Sequence, residues 1–365
     1  MTEATYSPGL AGVIGGTTEI CTTGEGLSYR GYAIEELAEQ CTYEEVAYLL
    51  LKGALPTRTQ LDAFASTLRD RRALPDACWQ VVRLIPSGQP MMDVLRTSVS
   101  FLGHVLPDDP AEQSVHLVAK LPTLVAGAWR IQSGAGEPIP PDPSRSHADN
   151  FFHMLGRQAD EQALHIFDTS MVLYAEHEFN ASAFAARVTV STKSDLISGI
   201  VSAIGALKGP LHGGANEEAI RLLQRIGTPE RAESFVRDML ARRELVMGFG
   251  HRIYKNGDHR ARLLKQYVHE LSDQTGDHRW EQISQTVEDI LLKEKHLYPN
   301  VDFPCGAAYH LLGLPTQLYT PIFVMARAAG WCAHIMEQLA HNRIIRPASL
   351  YQGPDVRPVA PIGER

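Results

Sequence analysis

The chain has 365 residues, 44 % of them hydrophobic and 21 % charged, which describes an ordinary packed globular protein and excludes a disordered chain, a fibre or a mini-scaffold. With 34 basic and 42 acidic residues the formal charge is −8, and neither sign forms a long block. Attraction to phosphate backbones or anionic lipid is therefore not expected, and a small anionic substrate would have to be captured locally by arginines.

The five cysteines, Cys21, Cys41, Cys78, Cys305 and Cys332, lie far apart and form no C-x-x-C. They read as reduced thiols rather than a disulfide framework or a zinc ribbon. Residues 1–8 hold no basic stretch leading into an apolar run, and no run of 18 apolar residues occurs anywhere. The expectation is a cytoplasmic protein without a membrane span.

In chain order, Thr17–Cys21 and Leu27–Tyr29 are strand-like and flank Gly24 and Gly26, which predicts a small β hairpin. From Ile34 the signals turn helical. Thr42 with Glu45 forms a capping-box pattern before Val46, Leu49 and Leu50, Gly53 and Pro56 end the run, and Thr57 with Gln60 repeats the start signal. Helical periodicity then predicts helices over 91–103, 113–133, 148–156, 160–176, 180–190, 194–207, 216–225, 229–242, 258–274, 278–296, 301–312 and 321–341. Strands never alternate with them as a parallel sheet would require, so a mainly α fold is expected. Residues 136–143 form a Pro-rich connection, and the stretch from about 213 to 316, with two very polar helices, reads as a separate lobe.

Four segments put histidine beside glycine, carboxylate or arginine at helix boundaries: Ala175–Glu178, Gly209–Gly214, Gly248–Arg252 and Asp258–Arg260. Such places let a ligand approach the backbone closely. His177 is followed four residues later by Ala181 rather than a second histidine, so the two-His zinc motif is missing and no metal is expected. Gly248-Phe249-Gly250 starts like a dinucleotide loop, but position 253 is Ile253 and a helical stretch precedes it. Asp302, in Asn300-Val301-Asp302-Phe303-Pro304, reads as either a helix cap or a partly desolvated general base. Arg260, Arg327 and Arg346 suit a di- or tricarboxylate if they converge, and surface ion pairs otherwise.

Read together and in order, SPGLAGVIGG near the start, LYAEHEFNAS at 173–182, GALKGPLHGGANE at 205–217, MGFGHRIYKNGDHRA at 247–261, YPNVDF at 298–303, and YTPIFVMARAAGWCAHIMEQ with NRIIRP at 319–347 resemble the citrate synthase family, including its 2-methylcitrate synthase branch. The resemblance covers nearly the whole chain. It implies a homodimer of two-domain helical subunits, with residues 1–212 and 317–365 forming a large domain and 213–316 a small CoA-side lobe that closes over the substrates. It also implies condensation of acetyl-CoA or propionyl-CoA with oxaloacetate, followed by thioester hydrolysis, with no cofactor beyond the CoA thioester that is itself substrate.

By motif, His212 is expected to bond the thioester carbonyl oxygen, Asp302 to remove the α-proton, and His251 to hold and protonate the oxaloacetate carbonyl. His177, Arg260, Arg327 and Arg346 are expected to bind carboxylates, Arg346 from the other subunit, and the backbone of Val246, Met247, Gly248, Phe249 and Gly250 to contact the CoA adenine. An inactive CoA-binding homologue is the alternative of a different class; the presence of His212, His251 and Asp302 together argues against it. The chain departs from the family pattern at His259, usually proline, at Pro90 before Met91-Met92-Asp93, usually histidine, and at Cys305, which reads as a buried inert thiol rather than a reactive one. Tyr174 resembles the 2-methylcitrate branch and Val301 the ordinary citrate synthases, so the acyl preference stays open.

Overall fold

A computed structural model describes residues 6–24, 26–251, 253–254 and 256–365. Residues 1–5, Glu25 and two members of the GFGHRIYK motif, Arg252 and Lys255, lie outside the described residues. Three two-residue strands, β1 (Cys21–Thr22), β2 (Ser28–Tyr29) and β3 (Tyr32–Ala33), form one antiparallel meander. Sixteen α-helices follow among the described residues: α1 (Ile34–Gln40), α2 (Tyr43–Lys52), α3 (Arg58–Asp70), α4 (Asp76–Leu84), α5 (Met91–Leu102), α6 (Pro110–Ser133), α7 (His147–Met154), α8 (Glu161–Tyr174), α9 (Ala181–Ser191), α10 (Leu196–Leu207), α11 (Ala215–Ile226), α12 (Pro229–Ala241), α13 (His259–Thr275), α14 (Arg279–Lys295), α15 (Asp302–Leu311) and α16 (Tyr319–Ala340).

The local chemistry explains the boundaries. Thr42 and Glu45 close a reciprocal capping box on α2, Thr57 and Gln60 do the same on α3, and Gly53 ends α2 in the left-handed region at φ 90°. Two differences from the sequence expectation stand out. The predicted strand at 17–21 reaches the ladder only at Cys21, because register pairs Cys21 with Tyr29 and Thr22 with Ser28, and β3 adds a third strand where none was expected. Helix α4 was not expected either: Pro75 precedes it without a side-chain cap, so no start signal announces its apolar Cys78 and Val82.

α16 is buried almost all round, from Tyr319 to Ile335, which marks it as the axis of the core rather than a surface helix. It packs on α2, α6, α8, α9 and α10. α6, itself buried from Gln113 to Ala128, lies alongside. α11 to α15 pack mainly on one another, chiefly α11 and α13 on α15 and α12 on α14. Beyond α16 the chain runs extended and mostly exposed from His341 to Arg365.

Candidate active site

A cleft of about 670 Å³ opens where the end of α8, the turn before α11, the loop before α13, the start of α15 and the middle of α16 meet, with Gly12–Gly16 along one wall. His177, His212, His251, Arg260, Asp302 and Arg327 all line it. Residues spread over 151 positions of sequence thus share one cavity.

Asp302 is the first residue of α15 and does not act as its cap; the position before it, Val301, offers no side-chain cap, and Asn300 Oδ1 accepts the Asp302 amide at 3.0 Å. The carboxylate is therefore released from backbone duty. It is only 9 % exposed, and its Oδ1 accepts the Tyr174 hydroxyl at 2.8 Å. Burial raises its pKa to about 6, against the opposing hydrogen bond from Tyr174 and the positive charges of Arg260 and Arg327. A carboxylate so placed is ionised near neutrality yet more basic than one in water.

His212 sits in the turn between α10 and α11. Its Nε2 lies 2.8 Å from Ser182 Oγ and accepts the Ser182 amide at 3.3 Å. A backbone N–H can only donate, so Nε2 is the acceptor and the proton of the neutral ring belongs on Nδ1. Burial, with Arg327 nearby, pulls the pKa down to about 3, which keeps the ring neutral. Ser182 is itself fixed at the start of α9: Trp331 Nε1 donates to its hydroxyl at 3.1 Å and Asn180 Oδ1 lies 2.7 Å away. The glycine after His212 has a steric reason, because a Cβ at Gly213 would collide with the Leu207 side chain and carbonyl.

The opposite side carries the groups suited to carboxylates. His251 Nδ1 accepts the amides of Ile253 and Tyr254 at 3.1 and 3.3 Å, which puts a proton on its Nε2, and its ring stacks on Tyr254 at 4.6 Å. Tyr254 Oη also meets His177 Nε2 at 3.0 Å, and the two histidine rings are 5.1 Å apart. Burial, then Arg260, His251 and Arg327, hold His177 well below its ordinary pKa, so it stays neutral. Arg260 is 3 % exposed and grips Asp258 through Nε at 3.0 Å and Nη2 at 2.8 Å. Arg327, 1 % exposed, donates Nε to the Tyr174 carbonyl at 2.5 Å, while its Nη1 is buried with no partner among the described residues. A guanidinium nitrogen so placed beside a cleft is able to donate to a carboxylate.

Behind this floor runs a buried chain that motif reasoning missed. Glu176 and His334 are both fully buried, and His334 Nε2 donates to Glu176 Oε1 at 2.7 Å. His334 Nδ1 accepts from Arg187 Nε at 2.9 Å, and Arg187 continues to Glu337 and to Gln338 Oε1 at 3.1 Å. Phe323, Arg327, Trp331, His334 and Gln338 recur at helical spacing on α16, so one face of one helix supplies much of the site. That periodicity was the available signal. Gly330 permits the close approach, since a Cβ there would overlap Glu176 Oε2 and the Ala175 carbonyl.

Val246–Gly250 do not line the cleft. They run beside it, with Gly250 N donating to the Tyr298 carbonyl at 2.8 Å, Asn300 N donating to the Gly248 carbonyl at 2.9 Å, and Phe249 packed on Phe303 at 4.5 Å. Gly248, at φ 87°, leaves no room for a Cβ against Phe303. Arg346 lies on the exposed C-terminal segment, and the chain's own fold does not bring it into the cleft. Cys305 is fully buried with its thiol pushed up to about 12 by burial, an inert state. His259 is exposed, does not line the cleft and lies 3.0 Å from Glu35, and Asp93 pairs with Lys208 at 2.6 Å.

The fold and cleft define a mainly helical enzyme whose cleft gathers three histidines, two arginines and a buried carboxylate. The family described as "Citrate synthase, C-terminal domain" matches residues 9–348, and the chain belongs to the citrate synthase family, enzymes that transfer acyl groups. It is 42 % identical to 2-methylcitrate synthase 1 of Corynebacterium glutamicum, covering all of both chains, and 44 % identical to a citrate synthase of Mycolicibacterium smegmatis, covering 97 % of this chain and 98 % of that one. Its fold is similar to the crystal structure of citrate synthase from Thermotoga maritima, with a TM-score of 0.89, 38 % identity and 98 % of each chain covered. It is also similar to the citrate synthase of Thermoplasma acidophilum in ternary complex with carboxymethyl coenzyme A and oxaloacetate, with a TM-score of 0.93, 32 % identity and coverage of 99 % of this chain and 100 % of that one.

Proposed function

We propose that the protein condenses acetyl-CoA with oxaloacetate and water to give citrate and CoA. The observation that carries this reading is one cleft holding a buried carboxylate near its working pH, a neutral histidine with a free donor and an arginine with an unpaired nitrogen. Asp302 removes the α-proton while His212 Nδ1–H bonds the thioester oxygen as enolate charge develops. The enolate carbon attacks the oxaloacetate ketone, which takes its proton from His251, and water then cleaves the citryl thioester. Arg260, Arg327 and His177 hold the carboxylates, and the bidentate Asp258 pairing keeps Arg260 pre-oriented.

The acid, base and anion-binding tasks are all filled by side chains, so the reading needs no metal or redox cofactor. In this reading residues 213–316 act as a lobe that closes over the substrates, the Val246–Gly250 backbone meets the CoA adenine, and two chains pair as a homodimer in which Arg346 serves the partner's site. Cytoplasmic residence rests on the reduced-thiol cysteine pattern, and a place in central carbon metabolism on membership of the citrate synthase family.

A second reading, 2-methylcitrate synthesis from propionyl-CoA, is favoured by the resemblance of Tyr174 to that branch, while Val301 resembles the ordinary citrate synthases even though its small side chain leaves more room near the base than the Leu often seen in the methylcitrate branch. One methylene in an apolar pocket changes selectivity by about 1–3 kcal/mol, so both acyl-CoAs are expected to react. Turnover of each with oxaloacetate, with products identified by mass spectrometry, tests this. The expected result is citrate and 2-methylcitrate with kcat/KM values within about 10² of each other. Absence of both products overturns the assignment.

A further inference from the structure

We propose that Tyr174 is a positioning residue for the proton-abstracting carboxylate: its hydroxyl fixes Asp302 Oδ1 and leaves Oδ2 as the oxygen that takes the substrate proton. This rests on the reading of Asp302 as the base. Tyr174 is the last residue of α8 and is fully buried, with its ring 4.2 Å from Phe323. Its hydroxyl has one proton, and the ionised carboxylate can only accept it, over 2.8 Å. Oδ2 makes no hydrogen bond among the described residues. The same residue's carbonyl anchors Arg327 Nε, so Tyr174 ties the base and the carboxylate-binding arginine to one point of backbone.

The charged and titratable groups around Asp302 do not duplicate this contact. Asp258 and Arg260 at the start of α13 are occupied with each other, Arg327 of α16 reaches the Tyr174 backbone, and Cys305 of α15 itself is protonated. His177, His212 and His251 line the same cleft and are engaged with Tyr254, Ser182 and the 253–254 backbone. A hydrogen bond to a carboxylate favours its ionised form, so the hydroxyl also opposes the upward push of burial.

Tyr174→Phe removes one oxygen and keeps the ring packing. The acid limb of kcat/KM for acyl-CoA is expected to move up by about one pH unit, and plateau turnover to fall about tenfold, with oxaloacetate affinity within about twofold. Replacing Tyr174 with 3-fluorotyrosine, a stronger donor of nearly the same shape, is expected to move the limb the other way. A merely structural tyrosine would lower activity equally at every pH, and an unmoved limb in both variants overturns the proposal. Asp302→Asn, measured alongside, separates the two ideas. If it keeps turnover within a few-fold, the base assignment itself falls; if it abolishes turnover while the limb stays fixed in the tyrosine variants, only the role of Tyr174 falls.

Discussion

The cleft floor and the C-terminal segment are opposites. On the floor Tyr174, Glu176, His177 and Ser182, with Arg327 and His334 of α16, are buried and each is held by at least one partner, whereas from His341 onward the chain is extended and Arg346 stands exposed. Both carry residues that the family resemblance ties to the substrate. The floor is assembled by one chain's own packing, whereas the C-terminal segment leaves its arginine exposed and outside the cleft lining. A buried network specifies its geometry alone, because each unsatisfied group would cost about 1–3 kcal/mol.

The sharpest break of the floor is Asp302→Asn, expected to lower turnover by about 10³ while substrates still bind. The same substitution should stabilise the fold. The native pKa of about 6 lies above the unfolded value of about 3.9, so the ionised group costs stability above pH 6, and that cost fades as pH falls toward 4. Asp302→Asn should thus gain on the order of 2–3 kcal/mol at pH 7–8 and little at pH 4, read by denaturant titration at both pH values. Equal effects at the two pH values would contradict the burial argument.

His212→Ala is expected to cost about 10²–10³ in turnover with a smaller effect on acyl-CoA affinity, since its donor acts on developing charge. Because the ring titrates near pH 3, it should add no limb to the pH profile above pH 5. A loss confined to binding would make it a positioning residue instead.

The segment is probed by mixing. Arg346→Ala and Asp302→Asn chains, each weak alone, should recover part of the activity when exchanged, because one of two sites then holds both native residues. Absence of recovery with proven subunit exchange would place Arg346 in the service of its own chain or of no site.

The mildest test is Gly330→Ala, which pushes a Cβ into Glu176 and the Ala175 carbonyl. It is expected to cost about 1–3 kcal/mol of stability and to weaken oxaloacetate binding through displaced His177. Unchanged stability would mean that α16 shifts freely.

Local chemistry made most helices readable, because caps such as Thr42–Glu45 and periodic apolar positions act within a few residues. Where no such signal existed, as at α4 behind Pro75, the helix was missed. The six cleft residues were found through ordered motifs. Their supports were not, since Ser182 and His212 are 30 residues apart and Glu176 and His334 are 158 apart, and spacing along the chain carries no record of such pairings. Asp302 shows the same limit: sequence left it between cap and base, and only the fold shows Asn300 taking up its amide while the carboxylate turns to Tyr174.

The most direct measurement of the central claim is thiol release from acetyl-CoA, followed with and without oxaloacetate, in the native protein and in Asp302→Asn, with a chelator as control. The account predicts release that requires oxaloacetate, is indifferent to the chelator and falls about 10³ in the variant. Release without oxaloacetate would make the protein a thioesterase, loss on chelation would bring in a metal, and native-level release in Asp302→Asn would remove the base on which the mechanism stands.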